Sequence, residues 1–451
     1  MRIIIVGAGK VGITITQFLS EEGHDLIVID TNPKAVNDAV NNYDVKGVIG
    51  NGASHNILQE AEAEKADVLI ASTPSDELNI LCCLMGRKNG IPNTIARVRN
   101  PDYSDQIDFI HEELGLNLIV NPEYEAANEI SRILRFPSAT KIETFAKGRA
   151  EIVEMKVTDD SLLAGKSLSQ LRKELGITFL ICAVERDGNV YIPTGNFMLQ
   201  TKDRIYVTAS KEYIAQFFKK IGLYKNRSRN IIIIGGGKIT YYLAKQLLES
   251  KANVKIIEVD DKRARELSET LPDATIIAAD GSNQDILIEE GLKNSDALVT
   301  LTGLDEENII ISLFAEKMKV PKVITKVNHY AYRDILESIG LETIISPKSL
   351  TAYTILRYVR SLENTLNSQV QTLYKMVNDR VEAAEFYITN ETDYTNIYFR
   401  DLHLKDNILI ASIIRDNKVI IPSGEDFLKA KDSVVVVTTN RYLTTLEDIF
   451  R

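Results

Sequence analysis

Residues 2–7 read RIIIVG, a short β-branched run closed by glycine, the pattern of a buried strand. Val11, Ile15, Phe18 and Leu19 then recur at helical spacing across residues 10–22. DLIVID (25–30) predicts a second strand, and Asn32-Pro33 starts another helix, because proline suits a first turn whose N–H is unpaired in any case. A third strand, VKGVIGNG (45–52), ends in a glycine turn. A helix over 54–63, a strand DVLIAST (67–73) and a helix over 76–89 follow. TIARVR (94–99) predicts a fifth strand, residues 104–114 a helix, and LNLIVN (116–121) a sixth strand. Strand and helix alternating at this rhythm predict an α/β unit built on a doubly wound parallel sheet.

The pattern changes after Pro122. EYEAANEISRILRF (123–136) is one amphipathic helix stopped by Pro137, with Tyr124, Ala127, Ile130 and Leu134 on its apolar face. AEIVEMKV, ITFLICAVERDGNVYIP and DRIYVTAS follow as a β-rich stretch, and Asp187-Gly188 between alternating apolar runs signals a hairpin. The basic-polar segment KNRSRN (225–230) then leads into a second round of the same patterns. IIIVGAGKVG at 3–12 returns as IIIIGGGKIT at 231–240, so that Gly7 and Gly235 are 228 residues apart (235 − 7), as are Asp30 and Glu258 (258 − 30). Thr73 and Thr302 are 229 apart (302 − 73), and Asp67/Asp296, Asp76/Asp305, Asn79/Asn308 and Pro193/Pro422 keep that step. IIRDNKVIIP (413–422) carries the matching hairpin. A half-chain repeat of this kind governs the whole reading. The expected domains are 1–136, 140–224, 230–363 and 365–451: two tandem Rossmann-like doubly wound parallel sheets, each followed by a small α+β lobe.

Composition narrows the class. The chain has 451 residues, of which 44% are hydrophobic and 26% charged, ordinary for a soluble globular protein. No apolar run approaches the roughly 18–20 residues that span a bilayer, and the start reads as a strand rather than a secretory leader. Three cysteines cannot build a disulfide framework. Adjacent Cys82 and Cys83 fall in a helical pattern and are expected to be packing residues in a reducing compartment. A net charge of −10 argues against broad nucleic-acid binding. The expected location is cytoplasmic.

GAGKVG at 7–12 follows a strand and opens a helix. Gly7 permits the tight turn, Gly9 lets the backbone approach a pyrophosphate, and Gly12 lets the helix lie close to the strand. The helix N-terminus offers free N–H groups and a partial positive charge to phosphate. Asp30 ends the second strand where a carboxylate would bond the ribose hydroxyls of an adenosine, and it disfavours a 2′-phosphate, hence NADP. Asn51-Gly52-Ala53 either borders an adenine or is an ordinary left-handed turn. Arg97, ending the fifth strand, either reaches a terminal phosphate or makes a surface salt bridge. The second copy keeps Gly235 and Gly237 but has Thr240 in place of the third glycine, where a β-carbon should push the helix slightly off the strand. Glu258 replaces the aspartate and Asp280-Gly281-Ser282 replaces Asn-Gly-Ala, so this copy either binds a ligand differently or binds none.

Enzymatic signatures are missing. A dehydrogenase needs an acid or base beside the nicotinamide and a substrate domain. The five histidines (His24, His55, His111, His329 and His403) show no ligand or triad spacing. No Cys-x-x-Cys or HExxH occurs, and Lys10 lacks the spacing and the Ser/Thr of a Walker loop. Binding without turnover is therefore the expectation, with no catalytic residues. An NAD-dependent oxidoreductase with a site between the halves, and a soluble NAD or redox sensor acting on another protein, stay open as alternatives.

GAGKVG, DTNP, NGAS, ADVLIASTPSDELN and IARVRNPDY in succession, with the IPTG-type hairpin in the lobe, resemble the domains that regulate conductance of K⁺ (RCK domains) in potassium channels and transporters. Two such units in one chain, each with its lobe, resemble over essentially the whole length the peripheral cytoplasmic subunits of Trk-type potassium uptake. The resemblance implies a homo-oligomer, a dimer or tetramer ring, on the inner face of the membrane, where it gates a membrane-embedded K⁺-translocating subunit of the TrkH/TrkG type. It also implies binding of NAD(H), ATP or ADP. Carried over, Gly7, Gly9, Lys10, Val11 and Gly12 would cradle phosphates and Asp30 would hold the ribose. Asn51, Gly52 and Ala53 would border the adenine, Thr73 would lie near the phosphates, and Arg97 would reach toward a terminal phosphate, within its own unit or across a dimer interface. In the second copy Gly235, Gly237, Lys238, Glu258, Asp280, Gly281, Ser282 and Thr302 take the matching places. Glu123 would stand where relatives bind a divalent or monovalent cation; Lys348 replaces it in the second copy. The lobes of some relatives bind cyclic di-AMP. The helices over 123–136 and about 348–363 would join neighbouring units.

Overall fold

The computed structural model describes residues 1–104, 114–136, 139–145, 149–159, 161–222, 228–328, 333–367, 370–377, 380–440, 443 and 445–451. Most of the helix expected over 104–114, with His111, Pro137, residues 225–227 of the linker and His329, lies outside the described residues. The chain forms two compact units that cut across its linear order. Residues 1–131 join 229–359, and residues 132–228 join 360–451. The two doubly wound copies thus share one unit and the two lobes the other.

In the first unit, the first copy is a six-stranded sheet ordered β3-β2-β1-β4-β5-β6. Its strands are β1 (Arg2–Val6), β2 (Asp25–Asp30), β3 (Val45–Ile49), β4 (Val68–Ala71), β5 (Asn93–Arg97) and β6 (Leu118–Val120). Every pairing is parallel. Ile3, Ile4 and Ile5 of the central strand have no exposed surface, as expected where helices cover both faces of a parallel sheet. The order reverses between β1 and β4, which opens a crevice at the carboxyl ends of these strands. The second copy repeats the topology as β14-β13-β12-β15-β16-β17. These are β12 (Asn230–Ile234), β13 (Asn253–Glu258), β14 (Thr275–Ala278), β15 (Ala297–Thr300), β16 (Val323–Lys326) and β17 (Ile344–Ile345).

The copies touch through named side chains. The Pro122–Arg135 helix meets the Lys238–Glu249 helix, where the Gln246 amide donates to Asn128 at 2.7 Å and Tyr124 sets its ring edge-on to Tyr242. The buried Asn121 amide donates to the Tyr242 hydroxyl at 3.0 Å, and that hydroxyl donates to the Arg99 carbonyl. Phe18 and Tyr353 add an edge-to-face pair. Of the apolar face expected on the Pro122–Arg135 helix, Ala127, Ile130 and Leu134 are buried, whereas Tyr124 is 43% exposed.

In the second unit each lobe is a five-stranded antiparallel sheet, one ordered β10-β9-β11-β8-β7 and the other β18-β19-β22-β20-β21. The first includes β7 (Lys141–Phe145), β8 (Ala150–Lys156) and β11 (Arg204–Ala209), the second β18 (Val370–Met376), β19 (Val381–Tyr387) and β22 (Ser433–Thr438). The hairpin joining β9 (Leu180–Arg186) to β10 (Asn189–Tyr191) turns on Asp187 and Gly188, with φ of +48° and +75°. Asp416 and Asn417, at +48° and +64°, do the same between β20 (Ile408–Arg415) and β21 (Lys418–Ile420). Two successive left-handed residues match the twist of the flanking strands. Beside each hairpin an arginine clamps a buried aspartate through two 2.7–2.8 Å bonds, Arg186 on Asp203 and Arg415 on Asp432. The sheets share one core, in which Phe145, Ile152 and Tyr206 pack with Met376, Val381 and Val437.

Candidate functional site

Gly7 lies at φ +101°, and an added Cβ would stand 3.0 Å from the backbone of Ser72 and Thr73. Only glycine lets β1 turn there against the end of β4. Gly9 caps the Lys10–Glu21 helix without a side-chain partner, and a Cβ on it would meet nothing within 4 Å. The start of the helix at exposed Gly9 and Lys10 therefore opens onto free space, with Val11 and Gly12 buried behind it, a geometry that receives an anion. A Cβ on Gly12 would stand 1.7 Å from the Gly7 carbonyl oxygen. Asp30 braces the turn, as its two oxygens accept the N–H groups of Ala8 at 2.7 Å and Asn32 at 2.8 Å. A carboxylate has about four acceptor positions, which leaves capacity for ribose hydroxyls.

Asn51, Gly52 and Ala53 follow β3. The Asn51 side chain accepts the Ala53 N–H at 3.0 Å. The left-handed alternative for this turn is corrected: Gly52 has no positive φ, and glycine is required because a Cβ would lie 2.3 Å from Val6 Cγ1. Thr73 is buried, and both its N–H and its hydroxyl bond Asn79 Oδ1 at 2.7 Å. The Asn79 amide in turn donates to the Arg97 carbonyl at 2.8 Å. Asp76 accepts the N–H groups of Arg99 and Asn100. Several repeated landmarks of the sequence are thus braces that hold the ends of β4 and β5. Asn308 does the same in the second copy, bonding Thr302 and the Lys326 carbonyl.

A cavity of about 330 Å³ lies where the two copies meet. The first copy lines it with Gly9, Lys10, Val11, Ser72, Pro74, Arg97, Arg99, Pro122 and Glu123, the second with Ile239, Lys326, Asn328, Pro347 and Lys348. Five walls are cationic and one, Glu123, is a carboxylate. Arg97 is not on the surface, as one alternative had it. Its side chain is 15% exposed, Nη2 stands 3.7 Å from Glu123 Oε1, and buried Nε has no hydrogen-bond partner. Burial lowers its pKa, partly offset by Glu123. Burial also pulls the Lys326 and Lys348 ammonium groups down, and Lys10 depresses Lys348 further. Asp30 and the Asn51–Ala53 turn, at the ends of β2 and β3, and the Thr73 side chain do not line this cavity. The sequence reading missed Arg99, Lys326 and Lys348 as walls of the site. Lys326 was within reach of the repeat, since it stands 229 residues after Arg97 (326 − 97).

Glu123 Oε1 faces the Arg97 guanidinium at 3.7 Å and the carboxylate lies within electrostatic reach of Lys326, while its buried Oε2 has no hydrogen-bond partner. Among the described residues, no group of three or more His, Cys, Asp or Glu side chains gathers around it to hold a metal ion.

The second glycine turn differs in detail. Gly235 at φ +95° and Gly237, the cap before Lys238, reproduce Gly7 and Gly9. Thr240 is fully buried and its hydroxyl donates to the Gly235 carbonyl. The β-carbon that the Gly7–Gly12 spacing excludes is carried here by Thr240, whose hydroxyl ties the helix to the turn. Glu258 accepts the N–H groups of Gly236 and Asp260. Arg263, unforeseen in the sequence, donates to the Gly236 carbonyl at 2.7 Å. Asp280 accepts both the N–H and the hydroxyl of Ser282. Gly281 faces Ile234, 2.4 Å from where its Cβ would be. The Thr302 hydroxyl donates to the Leu304 carbonyl.

The lobes enclose a second cavity of about 390 Å³ with mostly apolar walls, including Phe179, Ile181, Ile192, Ile408 and Leu409, and one cation, Arg172.

Comparison with known families gives matches to the TrkA-N domain over residues 3–122 and 231–347, and to the TrkA-C domain over 152–222 and 384–451. The Trk system potassium uptake protein TrkA homolog of Archaeoglobus fulgidus is 30% identical over 451 residues, covering 100% of both chains. Among solved structures, the GsuK channel bound to NAD superposes with a TM-score of 0.64 at 18% identity, over 97% of this chain and 76% of that one. GsuK bound to ADP gives 0.50 at 17% identity, over 81% and 69%. At these identities the structural likeness is one of fold.

Proposed function

Because the chain belongs to the TrkA family of Trk potassium-uptake proteins, with a role in the regulation of K⁺ transport, we propose that it gates ion flux by binding an adenine nucleotide. The observation that carries this reading is the glycine turn opening onto a cavity walled by five cations and one carboxylate. NAD(H), ATP or ADP would place phosphates on Gly7, Gly9, Lys10, Val11 and Gly12, the ribose on Asp30 and the adenine beside Asn51, Gly52 and Ala53. Arg97 would bond a terminal phosphate. The GsuK structures with NAD and with ADP support a nucleotide of this class on this fold.

Binding and orientation of phosphate are what these side chains do in this reading, and no chemical step follows. The protein would assemble as a homo-oligomeric ring on the cytoplasmic face of a membrane-embedded K⁺-translocating subunit. A ligand shifts such an assembly only by its difference in affinity for two conformations. A triphosphate and a diphosphate differ by one charged group, and a buried guanidinium converts that difference into energy. For the lobes, we propose the Arg172 cavity as the seat of cyclic di-AMP, its phosphates on the guanidinium and its bases on the apolar walls.

Calorimetric titration with NAD, NADH, ATP, ADP and cyclic di-AMP tests the reading. Adenine nucleotides are expected to bind without turnover, Asp30→Ala to weaken all of them, and Arg97→Ala to reduce the preference between ATP and ADP. Equal preference in the mutant sinks the Arg97 role. Absence of binding by the wild type sinks the nucleotide reading, and consumption of NADH with small carbonyl substrates would favour the oxidoreductase.

A further inference from the structure

We propose that the second copy completes the first copy's nucleotide site: Lys326 and Lys348 hold the free terminal phosphate of a nucleoside di- or triphosphate seated on the Gly7–Gly12 turn. This inference rests on the nucleotide reading above and adds the residues and the ligand class that it leaves open.

Both lysines line the same cavity as Gly9 and Lys10, although they lie more than half the chain away. Lys326 is the repeat of Arg97. Asn79 and Asn308 fix the backbone carbonyls of these two residues alike, at 2.8 and 3.1 Å. Two equivalent cations, one from each copy, therefore face one cavity. Lys348 follows Pro347 as Glu123 follows Pro122, so the repeat inverts the charge at that place.

The cations are unequally paired. Arg97 has Glu123 at 3.7 Å and Arg99 has Asp76 at 3.5 Å. Lys326 and Lys348 donate to carbonyl oxygens, of Thr302 at 2.5 Å and Asn328 at 3.5 Å. Asp305 acts on both lysines from a distance, its oxygens engaged by Asn328, and Glu123, already facing Arg97, acts on Lys326 in the same way. A carbonyl accepts a hydrogen bond but does not cancel a charge, and partly buried cations that outnumber the carboxylates around them are costly. A phosphate terminus with two negative charges relieves that cost. The pyrophosphate of NAD, esterified at both ends, has no such terminus.

The test is calorimetry on the full-length protein with ATP, ADP and NAD, comparing wild type with Lys348→Ala, Lys326→Met and Lys348→Arg. ATP affinity is expected to fall at least about tenfold in each of the first two, the loss of one charge-assisted hydrogen bond. NAD affinity should stay within about twofold, and Lys348→Arg should keep most of the ATP affinity. Circular dichroism establishes that each variant is folded, and Lys348→Gln carries the test at that position if the alanine variant is not. An unchanged ratio of ATP to NAD affinity in both charge-removing variants, with Asp30→Ala still weakening every nucleotide, overturns the inference and leaves the nucleotide reading standing. A wild type that binds none of the three ligands overturns both.

Discussion

Cys82, Cys83 and Cys182 are all fully buried. Burial pushes the Cys82 thiol up to about 12 and raises Cys83 and Cys182 as well. Reactivity follows the thiolate, so at pH 8 the folded protein should give almost no colour with an aromatic disulfide reagent, and three thiols per chain should appear in denaturant. Rapid labelling of the native state would contradict this burial. The sequence made the packing role of Cys82 and Cys83 legible through their place in a helical pattern. Asp30 was legible only in half. Its position after β2 pointed to a ribose, but nothing in the spacing revealed that it also braces the Ala8 and Asn32 N–H groups. Arg97 was legible as a candidate, while its burial against Glu123 was not, since burial depends on residues from another part of the fold.

At the scale of the element, the glycine turn makes the sharpest demand. Gly12→Ala would drive a β-carbon into the Gly7 carbonyl, which is backbone and cannot swing aside. The expected cost is about 1–3 kcal/mol, the range for overpacking, read as a lower denaturant midpoint with an unchanged slope. Thr240→Gly, which removes a β-carbon instead of adding one, should not show a loss of that kind, and equal losses at the two sites would refute the steric account. Strands such as β1 and β12 were legible because β-branched runs ending in glycine leave few alternatives. The hairpins were legible because Asp187-Gly188 and Asp416-Asn417 supply the left-handed pair. The apolar face of the Pro122–Arg135 helix could be read from its period, but its contacts with Tyr242 and Gln246 belong to an element more than a hundred residues away.

For the whole molecule, the duplication was plain in the sequence and the pairing was not. A linear reading places four domains in a row, whereas the chain gathers like with like into two units. Lys326 and Lys348 reach the first copy's cavity through that gathering, which no local period encodes. An excess of cations in one cavity makes binding depend on ionic strength. Raising salt from about 0.05 to 0.5 M, a range that shortens the screening length several-fold, should weaken ATP more steeply than NAD in parallel titrations. Equal slopes would mean that the cavity cations take no part in holding the triphosphate.

The change from Glu123 to Lys348 also makes the cavity lopsided. Its one carboxylate stands on the first copy's wall, and the charged residues that face it from the second copy are lysines alone. Two identical halves would offer a ligand a seat with twofold symmetry, whereas the tandem offers two unlike walls and so a single sense in which an asymmetric molecule can lie.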